Sequence, residues 1–159
     1  MNIYLIRHSD SEKISTHKKD TERKLTPEGE QKLKIAAEGW KLLAPHFSHI
    51  ISSPVSRSLQ TAEIIAKVYK FAGNIITDKR LISGNKTEGV IDLANEIMGQ
   101  DMAFVGHEPD FSEHISHLTS NSGVRIDFKK GMIAKISFEG RVKMSRGVLE
   151  FLIPVKAYK

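Results

Sequence analysis

The 159-residue chain contains no cysteine, and that absence removes three kinds of chemistry. There is no thiolate nucleophile, no Cys-based zinc site and no disulfide framework, and the redox compartment stays undetermined. No apolar run approaches the roughly 18 residues that a spanning helix needs. The apolar opening, Met1 to His8, is too short for a secretory signal and has no basic segment before it. A soluble cytoplasmic protein without a membrane partner is the expectation. Glycine is missing where a phosphate-cradling loop or a dinucleotide fingerprint would need it: after the first apolar run none occurs until Gly29. Charge of one sign is not in large excess either. Lys plus Arg is 24 against 19 for Asp plus Glu, giving +5 with histidines neutral. Charged residues make up 27%, close to the usual quarter, so the chain is neither a disordered tail nor a supercharged binder. The basic patches His17-Lys18-Lys19 and Lys129-Lys130 are short and lack interleaved aromatics. They read as solvated surface or as docking points for an acidic protein, not as a nucleic-acid interface.

Forty per cent of the chain is apolar. At about 150 residues per domain it reads as a single domain, 1–159, able to bury a core without metals or disulfides. Ile3 to Ile6 is a continuous apolar run, as in a strand buried on both faces. Thr26 as N-cap and Pro27 at the first helical position announce a helix carrying Leu33, Ala37, Trp40 and Ala44. His49 to Ile51 is a short strand, and Ser53-Pro54 repeats the cap-plus-proline signal before a helix with Leu59, Ala62, Ala66 and Tyr69. Asn74 to Thr77 suggests a third strand, and Val90, Ala94, Ile97 and Met98 a third helix. Met102 to Val105 is the clearest later strand, followed by a helix opening at Pro109-Asp110. Two closing strands, Ile133 to Phe138 and Val148 to Ile153, flank a turn near Glu139-Gly140. This alternation predicts an α/β three-layer sandwich, a mainly parallel central sheet with helices on both faces and an antiparallel edge. The polar interval from Asp10 to Lys24 reads as a long surface loop, a feature that is usually functional or mobile.

Three polar elements directly follow predicted strands: Arg7-His8-Ser9, Ser52-Ser53-Pro54 leading to Arg57, and Gly106-His107-Glu108. In an open parallel sheet, loops at the carboxyl ends of the strands share one edge, where ligands bind. Arg7, His8, Arg57 and His107 are therefore expected to converge. Such a cluster favours an anion at its centre, and arginine forks suit phosphate oxygens. Arg57 also sits in the first turn of a helix whose N–H groups attract anions. Each residue alone has a plainer explanation, as a strand-end pair, an exposed helix arginine or a loop histidine. His114 and His117, with Glu108 or Glu113, could form a metal site. However, His114 falls near the apolar stripe of Phe111, Ile115 and Leu118 and reads as a buried, hydrogen-bonded core histidine. His107-Glu108-Pro109 also departs from the helical His-Glu-x-x-His pattern, so no metal is expected.

Leu5-Ile6-Arg7-His8 followed by Leu25-Thr26-Pro27-Glu28-Gly29 resembles the opening of the histidine phosphatase (phosphoglycerate mutase-like) superfamily. Ile51 to Ala62 (Ile-Ser-Ser-Pro-Val-Ser-Arg-Ser-Leu-Gln-Thr-Ala) resembles its second motif, and Phe104-Val105-Gly106-His107-Glu108-Pro109 its third. Length and spacing are most similar to the SixA-like phosphohistidine phosphatases. The resemblance implies the phosphoglycerate mutase-like fold and no cofactor. It makes His8 a nucleophile that becomes phosphorylated, with Arg7, Arg57 and His107 holding the phosphoryl oxygens and His107 able to act as a cation. It also implies a substrate that is a phosphorylated protein or a small phosphoester. Ser9 and Glu108 depart from the common pattern. Glu108 could be a general acid or a bystander, and Glu88 and Asp10 are other candidate acids. The larger mutases and sugar phosphatases of the superfamily insert a lid between the positions of Arg57 and His107. This chain has no length for one, so the resemblance points to an open pocket suited to a protein-borne phosphoryl group.

Overall fold

The apolar opening folds as β1 (Asn2–Arg7), with Ile3 to Ile6 buried. A computed structural model of the protein describes residues 1–158. Six strands form one sheet: β1, β2 (His49–Ser52), β3 (Ile76–Thr77), β4 (Asp101–Gly106), β5 (Ile133–Ser137) and β6 (Val148–Ile153), in the order β3-β2-β4-β1-β5-β6. The first four in that order run parallel, while β5 and β6 are antiparallel to their inner neighbours. The predicted antiparallel edge is thus two strands wide.

Alternate β1 residues serve different layers, because successive side chains leave a strand on opposite faces. Ile3 and Leu5, with Met102 and Phe104, pack beneath α3 (Thr87–Ile97) and α4 (Asp110–Thr119). Tyr4 and Ile6, with Ala103 and Val105, pack against α1 (Pro27–Trp40) and α2 (Ser56–Val68). Burial on both faces explains why β1 and β4 are continuous apolar runs instead of alternating ones.

Several boundaries differ from the sequence-based expectation for local reasons. Thr26 caps α1 as expected, its Oγ1 accepting from the Gly29 amide at 3.0 Å. The helix stops at Trp40, and Ala44 is a core residue beyond its end. The second helix begins at Ser56, not behind Ser53-Pro54. Ser53 Oγ accepts from the Val55 amide (3.3 Å) and pairs with His107, so it is not the helix cap. The third strand contracts to Ile76–Thr77, and Met98 leaves α3 as its left-handed cap, φ 56°. The turn near Gly140 is a longer connection from Phe138 to Gly147, whose Val142 is buried and clasped by Asn95 through both backbone groups.

The interval from Asp10 to Lys24 is more ordered than a bare loop. It carries the bridges Ser11–Leu25 and Ser15–Lys18 and a one-turn 3-10 helix at Asp20–Glu22. Among the described residues no helix is long and apolar enough to cross a membrane.

Candidate active site

Register places the chemistry. Arg7 pairs with Gly106 across β1 and β4, and Ser52 pairs with Val105 across β2 and β4, so three strand ends finish together. The residues that follow them, His8, Ser53 and His107, are buried at one sheet edge, and Arg57 reaches back from the first turn of α2. The four residues expected to converge do so. The His8 and His107 rings lie 5.4 Å apart, and Arg57 Nε donates to His8 Nε2 at 3.2 Å.

His8 has a fixed orientation. Its Nδ1 lies 2.8 Å from the Ser9 carbonyl oxygen. A carbonyl can only accept, so Nδ1 carries the hydrogen and Nε2 presents its lone pair to the cluster. Burial pushes the imidazole down to about 3; the Ser9 hydrogen bond opposes the shift, and the charges of Arg57 and Arg7 reinforce it. His8 is therefore neutral at physiological pH.

His107 is pushed down to about 4 by burial, with Arg57 the next cause. The resemblance implies that His107 can act as a cation, and desolvation beside the arginines opposes that charge. Its Nε2 meets Ser53 Oγ at 2.9 Å and Ser58 Oγ at 3.3 Å. Arg7 is anchored by Nη1 donating to the Phe128 carbonyl at 2.8 Å. Among the described residues, Arg7 Nε and His107 Nδ1 are buried with no hydrogen-bond partner. Buried polar atoms are ordinarily paired, so these two are exceptions at the site.

The departures from the common motif also find their places. Ser9 is buried, its hydroxyl donating to the Gly29 carbonyl (2.8 Å) and its amide to Thr61 Oγ1 (3.2 Å), which ties His8 to α1 and α2. Glu108 accepts from the Ser112 amide at 2.9 Å and from the Ser112 hydroxyl, and so caps the first turn of α4. Burial pushes its carboxyl up, while Ser112 and Arg7 oppose the shift. Asp10 lies at the rim, paired with Lys32 (3.7 Å) and Lys130 (3.5 Å). Glu88 is elsewhere, lining a cavity of about 770 Å³ with Asp110, Glu113 and His117 that none of the four cluster residues lines. His114 is buried, and its Nδ1 and that of His117 both meet Thr87 Oγ1, at 2.9 and 3.0 Å.

Some residues at the site were not expected. Ser53 and Ser58 hold His107, and their signal was their position inside the second motif. Asp20, from the polar loop, reaches Arg57: its backbone oxygen accepts from Nη1 at 2.8 Å and Oδ2 from Nη2 at 3.1 Å. Arg23 contacts the other carboxylate oxygen of Asp20. The interval from Arg57 to His107 adds no lid, yet this loop covers part of Arg57 from the other side.

Known proteins share this fold. A structure of the protein histidine phosphatase SixA complexed with tungstate superposes with a TM-score of 0.85 over 99% of both chains, at 17% identity. Phosphoserine phosphatase of Entamoeba histolytica gives 0.73 over 98% of both chains, also at 17% identity. These likenesses establish the fold. In sequence, an uncharacterized protein of Picosynechococcus sp. is 27% identical over 152 residues, covering 90% of this chain and 89% of its own. The family model of the histidine phosphatase superfamily (branch 1) matches residues 3–107, a span that opens in β1 and closes on His107, and the chain belongs to that family.

Proposed function

We propose that the protein is a metal-independent phosphatase that works through a phosphohistidine on His8 and acts on phosphohistidine carried by another protein. The observation that carries this reading is the state of His8: neutral, its Nε2 lone pair turned to Arg57 Nε, with the His107 ring 5.4 Å away. Nε2 attacks phosphorus in line, the bond from phosphorus to the leaving nitrogen or oxygen breaks, and the leaving group takes up a proton. Arg57 Nε, which bonds the nucleophile in the structure, turns its hydrogen to a phosphoryl oxygen as Nε2 is consumed. Arg7 and Arg57 stabilise the charge on the equatorial oxygens, and His107 adds a further hydrogen-bonding contact. Water then attacks the phosphohistidine, which returns His8 and releases inorganic phosphate.

No dedicated acid is needed when the leaving group is a phosphoramidate nitrogen, which protonates readily. This fits the structure, where Glu108 is spent on capping α4 and Asp10 on lysines. A protein substrate is also supported by the cationic groove beside Arg7, lined by Lys32, Lys129, Lys130 and Lys156 with Asp10 as its carboxylate. The second reading, a general phosphomonoesterase on small phosphoesters, is favoured by the 10–24 loop, which narrows the approach to Arg57.

Brief incubation with a labelled phosphodonor and alkaline quenching should leave acid-labile label on His8. His8→Ala should lower turnover about 10³-fold or more. Retained turnover in that variant would end the covalent mechanism. A panel that sets a phosphohistidine protein against small phosphoesters decides between the two substrate classes, and a kcat/KM advantage for the esters would favour the second.

A further inference from the structure

Arg57 is one of the side chains that the proposed function assigns to the phosphoryl group, yet in the structure it already grips an anion of the protein's own. Asp20 Oδ2 lies 3.1 Å from Arg57 Nη2, while its other oxygen faces Arg23, with Arg23 Nε at 2.8 Å and Nη2 at 2.6 Å from Oδ1. One carboxylate thus bridges two guanidinium groups, as a phosphoryl group would. We propose that the Asp20 carboxylate is an internal counter-anion that an arriving phosphoryl group displaces, and that Arg23 thereby becomes a further guanidinium ligand of the phosphoryl site.

The two sides of this contact are held very differently. The Arg57 side chain is 9% exposed, whereas that of Asp20 is 53% exposed and sits on a three-residue 3-10 turn with no buried residue. Arg57 is therefore the fixed partner and Asp20 the movable one. Arg23 does not depend on Asp20 for its position. Its Nη1 donates to the Glu12 carbonyl at 2.7 Å and to Ser11 Oγ at 3.3 Å, so the guanidinium stays at the rim when the carboxylate leaves. A phosphoryl dianion carries more charge and more acceptor oxygens than a carboxylate, and so wins the exchange. The cost of displacing Asp20 weakens substrate and inorganic phosphate by the same factor. The chemical gain is on the product side, because the returning carboxylate helps to clear phosphate from a strongly cationic pocket.

The inference rests on Arg57 as the phosphoryl ligand, and direct binding of inorganic phosphate separates the two. By calorimetry, Asp20→Asn should bind phosphate about fivefold more tightly than the wild type, the size expected for losing one partly exposed ion pair. The backbone contact of residue 20 to Arg57 is kept in this variant. The KM for p-nitrophenyl phosphate should fall by a similar factor, and product inhibition should deepen. Adding Arg23→Gln to Asp20→Asn should cancel the gain. Unchanged or weaker phosphate binding in Asp20→Asn would overturn the proposal and make Asp20 a residue that orients Arg57. A double variant that binds as tightly as Asp20→Asn would remove Arg23 from the phosphoryl site. Phosphate binding that Arg57→Ala leaves unweakened would overturn the anion-site reading and this inference with it.

Discussion

The nucleophile and its neighbour differ in how each imidazole is held. His8 is oriented by a backbone carbonyl one residue away, a partner that no side-chain substitution removes. His107 depends on hydroxyls: Ser53 at 2.9 Å, with Ser58 further off at 3.3 Å. Ser53→Ala should therefore loosen His107 while leaving the histidine itself in place. Loss of one such hydrogen bond corresponds to about 1 kcal/mol, or roughly a five- to tenfold fall in kcat/KM. Steady-state kinetics beside a thermal melt checks this, and a change under twofold would show that Ser58 suffices. The residues that carry the motifs were legible in the chain because Arg7, His8 and His107 sit at the end of a short apolar run and Arg57 opens the helix that follows one. The serine contacts were not, since the partners lie some fifty positions apart and meet only through sheet register.

At the level of elements, the site depends on a turn with no catalytic residue of its own. The segment after Phe128 fixes Arg7 from outside the sheet edge. Phe128 accepts from the guanidinium, Gly131 donates to the carbonyls of Arg7 and His8 (3.1 and 3.2 Å), and Met132 accepts from the Arg7 amide (3.1 Å). Gly131 adopts φ +69°, and a Cβ built there would lie 2.6 Å from Val155 Cγ2. Gly131→Ala should therefore cost about 1–3 kcal/mol, from the left-handed backbone and the crowded Val155, and should lower activity by moving the turn away from Arg7. Urea denaturation with parallel kinetics measures both. Cap and proline signals located α1 well, because Thr26 Oγ1 accepts from the Gly29 amide at 3.0 Å and its other contact, donation to the Asp10 carbonyl at 3.4 Å, leaves that acceptance intact. The same signal misplaced the start of α2, because the Ser53 hydroxyl is drawn to His107 by the tertiary fold.

Over the whole molecule, three buried histidines couple folding to pH. Burial is the largest cause in each case, pushing His8 down to about 3 and His107 and His114 down to about 4. Each binds a proton near 6.5 once unfolded, so the unfolded chain holds more protons in the window between those values and 6.5. Stability should be full above pH 6.5 and fall as the pH drops toward 4. The expected loss at pH 5 is on the order of 1–2 kcal/mol for each histidine. Urea midpoints at pH 7 and pH 5 test this, and His114→Gln, away from the candidate site, should flatten the slope by about one proton; a flat profile in the wild type would contradict the neutral burial of these rings. By itself the sequence determined the element order, the layered α/β class and the candidate residues at and just beyond the strand ends, because those follow from local periodicity and from motifs within single segments. The tertiary structure alone decided that burial opposes a charge on His107, that Ser53 and Ser58 hold it, that Glu108 caps a helix and that Asp20 and Arg23 reach the site. Each of these depends on desolvation or on contacts between distant segments, and such quantities exist only once the chain has packed.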